Sequence, residues 1–547
     1  MALDRFTQER LELARLEGKK RLERILDSPD PKALVRSLPA EDLFFTIQEI
    51  GPEDAAALVA YASPAQFRTF VDLDAWDGYE LVPERVMDWL RLAREEGEEP
   101  FHQKLRSLDI EVQELLIRRI VRVIDLEEDG EPTEDFLGPV EQTPEGRFLV
   151  VYPPQGPDYA MAKGLIDALY AEDPFAAGRF LYAIRWELES ELTESALRWR
   201  NARLADLGFP SPEEAASLYA RVDLSAALPP PAGLPATGPG YYLAPRDAST
   251  LLARAMAHVG FERQRSAELE IVAVLNAALV ADGIKPAEIP EVRNAIESVQ
   301  QTISLGLEHL AGDDELRAAE VLGRTAIKRI FQIGFTRVLE LRWCADRMRK
   351  ALPLEIERGT FLPDGTLGER LGALFQRRPR YLVPAEGERP SRVRAFSSLA
   401  ELQETAEALD EIEAIAQAFR DAGFDPGPAR EVVVRAWGDA GLARVRWGDL
   451  FLTRLARVLV GLSADWDSLP GERLADAARA AFEPSGELKP SVRVTALGLL
   501  PASDAVTAFV DRALRRLQDE LGEAVASVGF DALDPRFAAP WIVPEHP

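Results

Sequence analysis

The sequence contains few of the residues that most often carry catalysis or bind metals. Its 547 residues include one cysteine, Cys344, and four histidines. A single cysteine excludes a disulfide framework and a cysteine-rich zinc site within one chain. The metal-binding motif H-E-x-x-H, the nucleophile elbow G-x-S-x-G and the Walker phosphate loop are all absent. Local motifs therefore predict no catalytic residue, no cofactor and no metal ligand.

Long apolar runs are missing as well. The longest, IVAVLNAALVA at residues 271–281, is too short to span a bilayer. The amino-terminal residues are densely charged, with leucines at helical spacing, which is typical of a surface helix and not of a secretory signal. The sequence therefore predicts a cytoplasmic protein without membrane insertion.

Positive charge is in short supply. The formal net charge is -28, with 64 Lys and Arg against 92 Asp and Glu. Such a charge repels nucleic acid and anionic lipid over the surface as a whole, so we expect no nucleic-acid partner. A hydrophobic content of 47% indicates a folded chain, and its length predicts several domains or an extended repeat array.

Short helices are the clearest pattern that is present. Residues 38–74 divide into LPAEDLFFTIQEI, GPEDAAALVAYA and SPAQFRTFVDLD, each opening with a proline followed by an acid or amide. Proline suits the first helical turn, where its missing N–H would have no partner, and acids complement the positive end of a helix. We therefore predict helix starts near Pro39, Pro52 and Pro64, and a helical-repeat-like amino-terminal region.

The rest of the chain reads as helical bundles with at most a few short strands. The strongest helical stretches are IVAVLNAALVADGI, TISLGLEHLAGDDELRAAEVLG and AIKRIFQIGFTRVLELRWCADRMRK, which we predict as the three main helices of a bundle. RFLVVYPP and PRYLVP are candidate extended segments. The predicted fold class is all-α. Composition divides the chain into a helical-repeat region at 1–129, a loop with a short extended segment and helices at 130–227, a Pro/Gly linker at 228–245, a central helical bundle at 246–358, a Gly/Pro/Arg-rich connection at 359–398 and a helical domain at 399–547.

Two resemblances accompany these patterns. The series LPAEDL, IGPEDAAALV and SPAQF resembles the cytoplasmic amino-terminal helical domain of bacterial magnesium transporters, over roughly the first ninety residues. Neither paired nucleotide-binding-like domains nor a membrane pore follows, so transport does not carry over. Across most of the chain, VLNAALVADGI, SLGLEHL and FQIGFTRVLELR resemble an uncharacterised bacterial family of soluble helical proteins. That resemblance implies an all-helical cytoplasmic protein and supplies no activity.

One acidic stretch imitates a calcium loop. In IDLEEDGEPTED, residues 124–135, Asp125, Glu127 and Asp129 fall at loop positions one, three and five, and Gly130 at six. Position twelve is Phe136, where a calcium loop needs a bidentate glutamate. We therefore predict that a helix ends near Ile124 and that an acidic, solvated loop follows it.

Polar residues within apolar helices are the remaining candidates for a site. On a helical wheel Asn276 falls among apolar residues, Glu308 lies in ISLGLEHL, and Arg342 follows Leu341. If their helices pack together, Asn276, Glu308 and Arg342 form either an internal polar network that fixes helix register or the lining of a ligand pocket.

Three functions fit this sequence. The first is a protein interaction or scaffold role, because helical-repeat surfaces bind a protein partner over an extended area and need no catalytic motif. The second is an enzyme or small-ligand receptor with a carboxylate and arginine site between helical domains. The third is a divalent-cation-responsive regulator. The sequence leaves the oligomeric state open.

Overall fold

The computed structural model describes Leu13, Leu16 and residues 18–95, 97–132, 136–231, 250–351, 362–387 and 389–544. Most of these residues are helical, and the strands are few and short, which confirms the predicted fold class. Most of the linker predicted at 228–245 lies outside the described residues. No helix in the described ranges combines the length and the apolar character needed to cross a membrane.

The helices are numbered along the described part of the chain. Those before residue 232 are α1 (Gly18–Leu26), α2 (Pro31–Ser37), α3 (Ala40–Ile50), α4 (Ala56–Tyr61), α5 (Pro64–Asp74), α6 (Pro83–Arg94), α7 (Glu98–Ser107), α8 (Ile110–Arg118), α9 (Pro157–Glu172), α10 (Pro174–Trp186), α11 (Glu189–Asp206) and α12 (Pro212–Ala216). Those after residue 249 are α13 (Leu251–Met256), α14 (Phe261–Asp282), α15 (Ile289–Ala311), α16 (Glu315–Arg324), α17 (Ile327–Ala351), α18 (Gly365–Leu374), α19 (Leu399–Asp421), α20 (Pro426–Arg444), α21 (Trp447–Leu459), α22 (Leu474–Ala481), α23 (Pro490–Leu497) and α24 (Asp504–Val528).

The strands form three small antiparallel sheets within the described residues. The strands are β1 (Trp76–Asp77), β2 (Glu80–Leu81), β3 (Arg122–Asp125), β4 (Val140–Gln142), β5 (Phe148–Val151), β6 (Tyr381–Val383) and β7 (Arg392–Arg394). β1 pairs with β2 and β6 with β7, while β5 lies between β3 and β4. The extended segments predicted in RFLVVYPP and PRYLVP are therefore present as β5 and β6.

The chain divides into two compact units. The first comprises residues 1–220, 225–300 and 311–332, and the second comprises 221–224, 301–310 and 333–547. The six-part division made from composition stays a prediction, because compact units of this kind do not test each boundary.

Helix starts in the first unit largely follow the prolines. α5 begins at Pro64, where the Ser63 hydroxyl accepts a hydrogen bond from Gln66 N and the Gln66 side chain accepts one from Ser63 N. This capping box satisfies two N–H groups that the helix leaves without partners. α3 begins directly after Pro39, but α4 begins at Ala56, because residues 52–55 form turns first. Whether these segments form a repeat array stays a prediction.

The helix predicted to run to Ile124 is wrong. α8 ends at Arg118, and residues 122–125 form the strand β3. The β-branched residues Val123 and Ile124 favour an extended backbone, and Val123 lies opposite Val150 of β5. Long-range pairing therefore overrides the helical period that the preceding residues begin.

A second difference concerns the helix predicted over TISLGLEHLAGDDELRAAEVLG. This stretch contains the end of α15 and all of α16 but its last residue, because Gly312 adopts a positive φ of 68°. The Asp314 side chain accepts hydrogen bonds from Leu316 N and Arg317 N and so caps α16. α18, in the segment predicted as a connection, was not expected from the sequence.

Two glycines set a helix crossing in the second unit. A Cβ atom added to Gly334 in α17 would lie 2.2 Å from Thr302 O and 2.9 Å from Gly306 N, both in α15. Any side chain at Gly334 would therefore separate the two helix backbones. The crossing places the backbone of Gly334 in α17 directly against Thr302 and Gly306 of α15.

Candidate functional site

The three polar residues predicted as a network have different described partners. Asn276 is buried in α14 of the first unit and donates a hydrogen bond to Leu207 O, 3.4 Å away, at the end of α11. Glu308 belongs to the second unit, where its Oε2 accepts a hydrogen bond from Leu399 N, 2.8 Å away, at the start of α19. Both bonds give a partner to a backbone group at a helix terminus, where such groups have no intrahelical partner. Their membership of one network stays a prediction.

Arg342 lies at the edge of a depression in the second unit. It donates to Asp346 Oδ2 at 3.1 Å and to Leu374 O, and its guanidinium carbon lies 4.4 Å from the centroid of the Phe375 ring. The depression has a volume of about 500 Å³ and is lined by Arg342, Trp343, Asp346, Arg347 and Arg349. Arg342 is therefore placed where a ligand could reach it.

Two arginines from other parts of the chain pair with acids of the stretch that resembles a calcium loop. Asp125 is fully buried and accepts hydrogen bonds from Arg147, with Nη2 to Oδ2 at 2.7 Å. Arg185 donates to both oxygens of Asp129, at 3.0 and 2.8 Å. These bonds hold the pKa of each carboxyl below its usual value. No group of three metal-ligating side chains converges within the described ranges.

A row of aromatic side chains lies next to this acidic stretch, on the exposed side of α10. Phe175, Tyr182 and Trp186 are 75%, 46% and 40% exposed, and spacings of seven and four residues place them along one side of the helix. Arg179 lies between the first two and is also exposed. These four residues, Phe175, Arg179, Tyr182 and Trp186, are called the α10 face below.

Arginine side chains stack on each of the three rings. The guanidinium carbon lies 5.3 Å from the ring centroid for Arg179 over Phe175 and 5.6 Å for Arg147 over Tyr182. For Arg185 over Trp186 the distance is 4.3 Å. A cation at this distance is attracted by the ring quadrupole. The aromatic row is therefore held in place by arginine stacking without being covered.

The local sequence explains why α10 forms and how it is oriented. Pro174 occupies the first helical position, and the Asp173 carboxylate accepts hydrogen bonds from Phe175 N and Ala176 N at 3.0 and 3.3 Å. The opposite side of the helix buries Phe180, Leu181 and Ile184. Apolar residues thus surround most of α10, but only one side of the helix packs against the core.

Trp186 is fixed by a hydrogen bond as well as by stacking. Its indole Nε1 donates to Asp125 Oδ2 at 3.2 Å, and the same carboxylate binds Arg147, which stacks on Tyr182. One buried acid therefore orients two residues of the α10 face and one arginine. A surface whose aromatic side chains are already ordered loses less conformational entropy when a partner binds.

One depression borders the α10 face, and a second is lined by other residues of α10. The first has a volume of about 620 Å³ and is lined by Pro144, Glu145, Arg147, Phe148, Pro174, Phe175, Gly178, Arg179 and Tyr182. The second has a volume of about 740 Å³ and is lined by Arg118, Val121, Arg122, Val123, Ile124, Asp129, Gly130, Glu131, Pro132, Ile184 and Arg185. The first is open partly because Gly178 has no side chain. A Cβ there would meet Glu145 Oε1 at 3.8 Å.

A buried acid whose pKa is raised, in contrast to that of Asp125, lies on α8, which packs against α10. Glu114 is buried, and its burial together with Glu187 and Glu111 raises its pKa to about 8. Desolvation penalises the charged carboxylate, and the two neighbouring acids add repulsion. Near pH 7 Glu114 therefore favours its neutral form, whereas Asp125 stays ionised.

The α10 face was not predicted from the sequence. The usable signal was in PFAAGRFLYAIRW, residues 174–186, where apolar residues surround the helix instead of forming a single stripe. A surplus of aromatic residues in one helix can mean complete burial or an exposed binding surface. Only the packing around it decides between the two.

The comparisons with known proteins return one match. A family model described as "Family of unknown function (DUF6178)" matches residues 1–544. No curated protein and no solved structure matches the chain. The resemblance to magnesium transporters therefore has no support among these findings.

Proposed function

We propose that this protein is an interaction protein that binds a partner protein through the α10 face. The chain belongs to a family of unknown function, so the proposal is argued from the surface of the chain itself. The observation that carries the proposal is the row of Phe175, Tyr182 and Trp186, exposed and ordered by stacked arginines. Tryptophan, tyrosine and arginine are the residue types enriched at the energetic centres of protein interfaces. An enzyme would need converging reactive groups, and the α10 face has none.

The arrangement of the α10 face supports binding rather than simple exposure. Single apolar residues are common on protein surfaces, but a contiguous aromatic row beside a depression is typical of an interaction site. The depression provides room for side chains of a partner. The hydrogen bond from Trp186 to Asp125 fixes the orientation of the indole ring before a partner binds.

The test of this function is site-specific loss of a partner. Tagged full-length chain would be purified from its native cells after brief cross-linking, as wild type, as the double variant Phe175→Ala/Tyr182→Ala, and as the control Phe261→Ala. Phe261 is 76% exposed in the same unit but lies on α14. We expect one protein at fixed stoichiometry whose recovery falls at least about tenfold in the double variant only.

Two outcomes would contradict the proposal. One is a partner that the double variant retains at the wild-type level. The other is the absence of any stoichiometric protein partner from every sample. Unchanged circular dichroism and melting temperature of the double variant would show that lost binding does not reflect unfolding, as expected for two exposed side chains.

A second candidate function rests on the depression beside Arg342. Arg342, Arg347, Arg349 and Trp343 line a space of about 500 Å³ together with Asp346. Asp346 pairs with Arg342 and Arg349, so Arg347 is the arginine best suited to a small anionic ligand. Inorganic phosphate at millimolar concentration is then expected to raise the melting temperature, and Arg347→Gln is expected to remove that rise. A melting temperature that phosphate does not change would exclude this candidate for phosphate-like ligands.

A further inference from the structure

Arginines around the α10 face are paired with acids of the same chain. Arg147 pairs with Asp125 and Glu127, and Arg185 pairs with Asp129. The whole chain carries a net charge of -28. An arginine without such a pair attracts carboxylates at short range even on a chain of this charge, since distant charges are screened by salt.

Arg179 is the arginine best placed to meet a partner. It is exposed, lies one helical turn from both Phe175 and Tyr182, and stacks on the Phe175 ring. None of the described residues forms an ion pair with it. Its planar guanidinium therefore keeps N–H donors directed to solvent, in the geometry that binds a carboxylate through two parallel hydrogen bonds.

The depression next to Arg179 is walled mainly by apolar groups, with Glu145 and Arg147 as its other charged residues. Pro144, Phe148 and Pro174 contribute to its lining together with two rings of the α10 face. Its volume of about 620 Å³ accommodates a leucine or aromatic side chain of a partner. An apolar cavity directly beside an arginine with free donors is a combined site for an apolar side chain and a neighbouring carboxylate.

We propose that the occupant of the α10 face is an acidic segment of a partner protein. One large apolar side chain of the segment fills the depression beside Gly178, and a carboxylate near it in sequence pairs with Arg179. This proposal rests on the proposed function, because it specifies the chemistry of the partner that the α10 face binds.

The charges around the α10 face favour a peptide over a nucleic acid. Aromatic rings alternating with arginines also suit single-stranded nucleic acid, which stacks its bases on such rings. A strand that carries a phosphate at every nucleotide would pass Glu145, Glu172 and Asp173, all exposed near the start of α10. A peptide can place its few carboxylates at Arg179 and keep them away from these three acids.

The experiment measures binding of defined probes to the full-length chain by fluorescence anisotropy. The probes are fluorescein-labelled peptides of about twelve residues with one leucine or phenylalanine and two glutamates at varied spacing. Matched peptides replace the glutamates by glutamine or the apolar residue by serine, and labelled oligothymidine tests the nucleic-acid occupant. We expect at least one acidic peptide to bind, and either replacement to weaken its binding about tenfold or more.

Variants of the chain show whether Arg179 makes the contact. Arg179→Gln is expected to weaken the acidic peptide about tenfold, and Arg179→Glu is expected to prefer a peptide whose glutamates are replaced by lysine. The matched control is Arg198→Gln on α11, since Arg198 is 76% exposed and 3.9 Å from Glu194. That control is expected to change binding by less than about twofold.

The outcomes separate this proposal from the proposed function. Equal binding of the acidic peptide to wild type and Arg179→Gln overturns the acidic occupant, as does oligothymidine binding that depends on Arg179. Arg179-dependent self-association in light scattering would identify a second copy as the occupant instead. If no acidic peptide binds while the cross-linked partner still depends on Phe175 and Tyr182, the interaction function stands and only the acidic occupant fails.

Discussion

Arginine stacks on tryptophan in both units, in two different settings. In the second unit the Arg454 guanidinium carbon lies 4.5 Å from the Trp466 ring centroid, and both side chains donate to Ala422 O. Phe419 stacks on Trp466 with ring centroids 4.8 Å apart, and this group packs against the core. In the first unit Arg185 stacks on Trp186 at 4.3 Å, and 40% of the tryptophan stays exposed.

The difference lies in what surrounds each pair, not in the pair itself. Around Trp466 further rings, including Phe424, complete the packing. Around Trp186 the neighbouring aromatic residues of α10 are themselves exposed. The same contact therefore stabilises a core in one place and orders a binding surface in the other. Substitutions in the two places should differ accordingly.

The largest contrast is expected between two phenylalanines. Phe419 is buried against Phe424, Trp447, Trp466 and Phe509, so Phe419→Ala should lower the free energy of unfolding by about 3–5 kcal/mol. Phe175→Ala, at an exposed position, should change it by less than about 0.5 kcal/mol. Calorimetric melting of both variants checks this, and similar losses would show that α10 is packed more tightly than its exposure indicates.

The next contrast involves the two buried acids near α10. The pKa of Glu114 is about 8 in the folded chain, against an ordinary value of 4.5, so folding loses stability as pH rises from 4.5 to about 8. Glu114→Gln removes that loss. The variant should gain up to about 5 kcal/mol over wild type at pH 9 and almost nothing below pH 4.

Melting temperatures of wild type and Glu114→Gln across this pH range provide the measurement. A constant difference at every pH would contradict the raised pKa, because a purely steric effect of the substitution does not titrate. The carboxamide is close in size to the carboxyl group, so packing changes little.

Substitution of Asp125 should destabilise the protein, whereas Glu114→Gln should stabilise it. Asp125→Ala leaves Arg147 and Trp186 without their shared acceptor and should cost about 2–3 kcal/mol at neutral pH. Asp129→Ala removes a more exposed partner of Arg185 and should cost clearly less. Chemical denaturation of both variants makes the comparison. Equal losses would mean that the buried carboxylate is not what orders this part of the α10 face.

The smallest effects should come from two helical glycines and should have opposite signs. A Cβ at Gly448 would lie 2.5 Å from Asp364 Oδ1, and that carboxylate is also bound by Arg516, so Gly448→Ala should cost about 1–2 kcal/mol. Gly178→Ala has an ordinary contact at 3.8 Å and should stabilise by about 0.5 kcal/mol through helix propensity. Destabilisation by both would show that the depression beside Gly178 has no spare room.

Local chemistry made some elements predictable and left others hidden. Pro64 and Pro83 mark helix starts because the constraint acts within one turn. The strand at Val123 depends on pairing with Val150, a partner that no local pattern identifies. Asn276 was expected to be buried from its helical position, and it is, but its acceptor, Leu207 O, lies 69 residues away along the chain. The α10 face was missed for the same reason, since the packing of Trp466 against the core and the exposure of Trp186 both depend on distant neighbours.

The crossing of α15 and α17 at Gly306 and Gly334 joins two helices through main-chain atoms. Such a contact contains no rotamers, so it cannot relax by exchanging one side-chain conformation for another. Local opening of the second unit must then separate whole helices at this point instead of rearranging side chains around it. The amide protons near Gly334 are accordingly expected to exchange with solvent deuterium among the slowest in the protein.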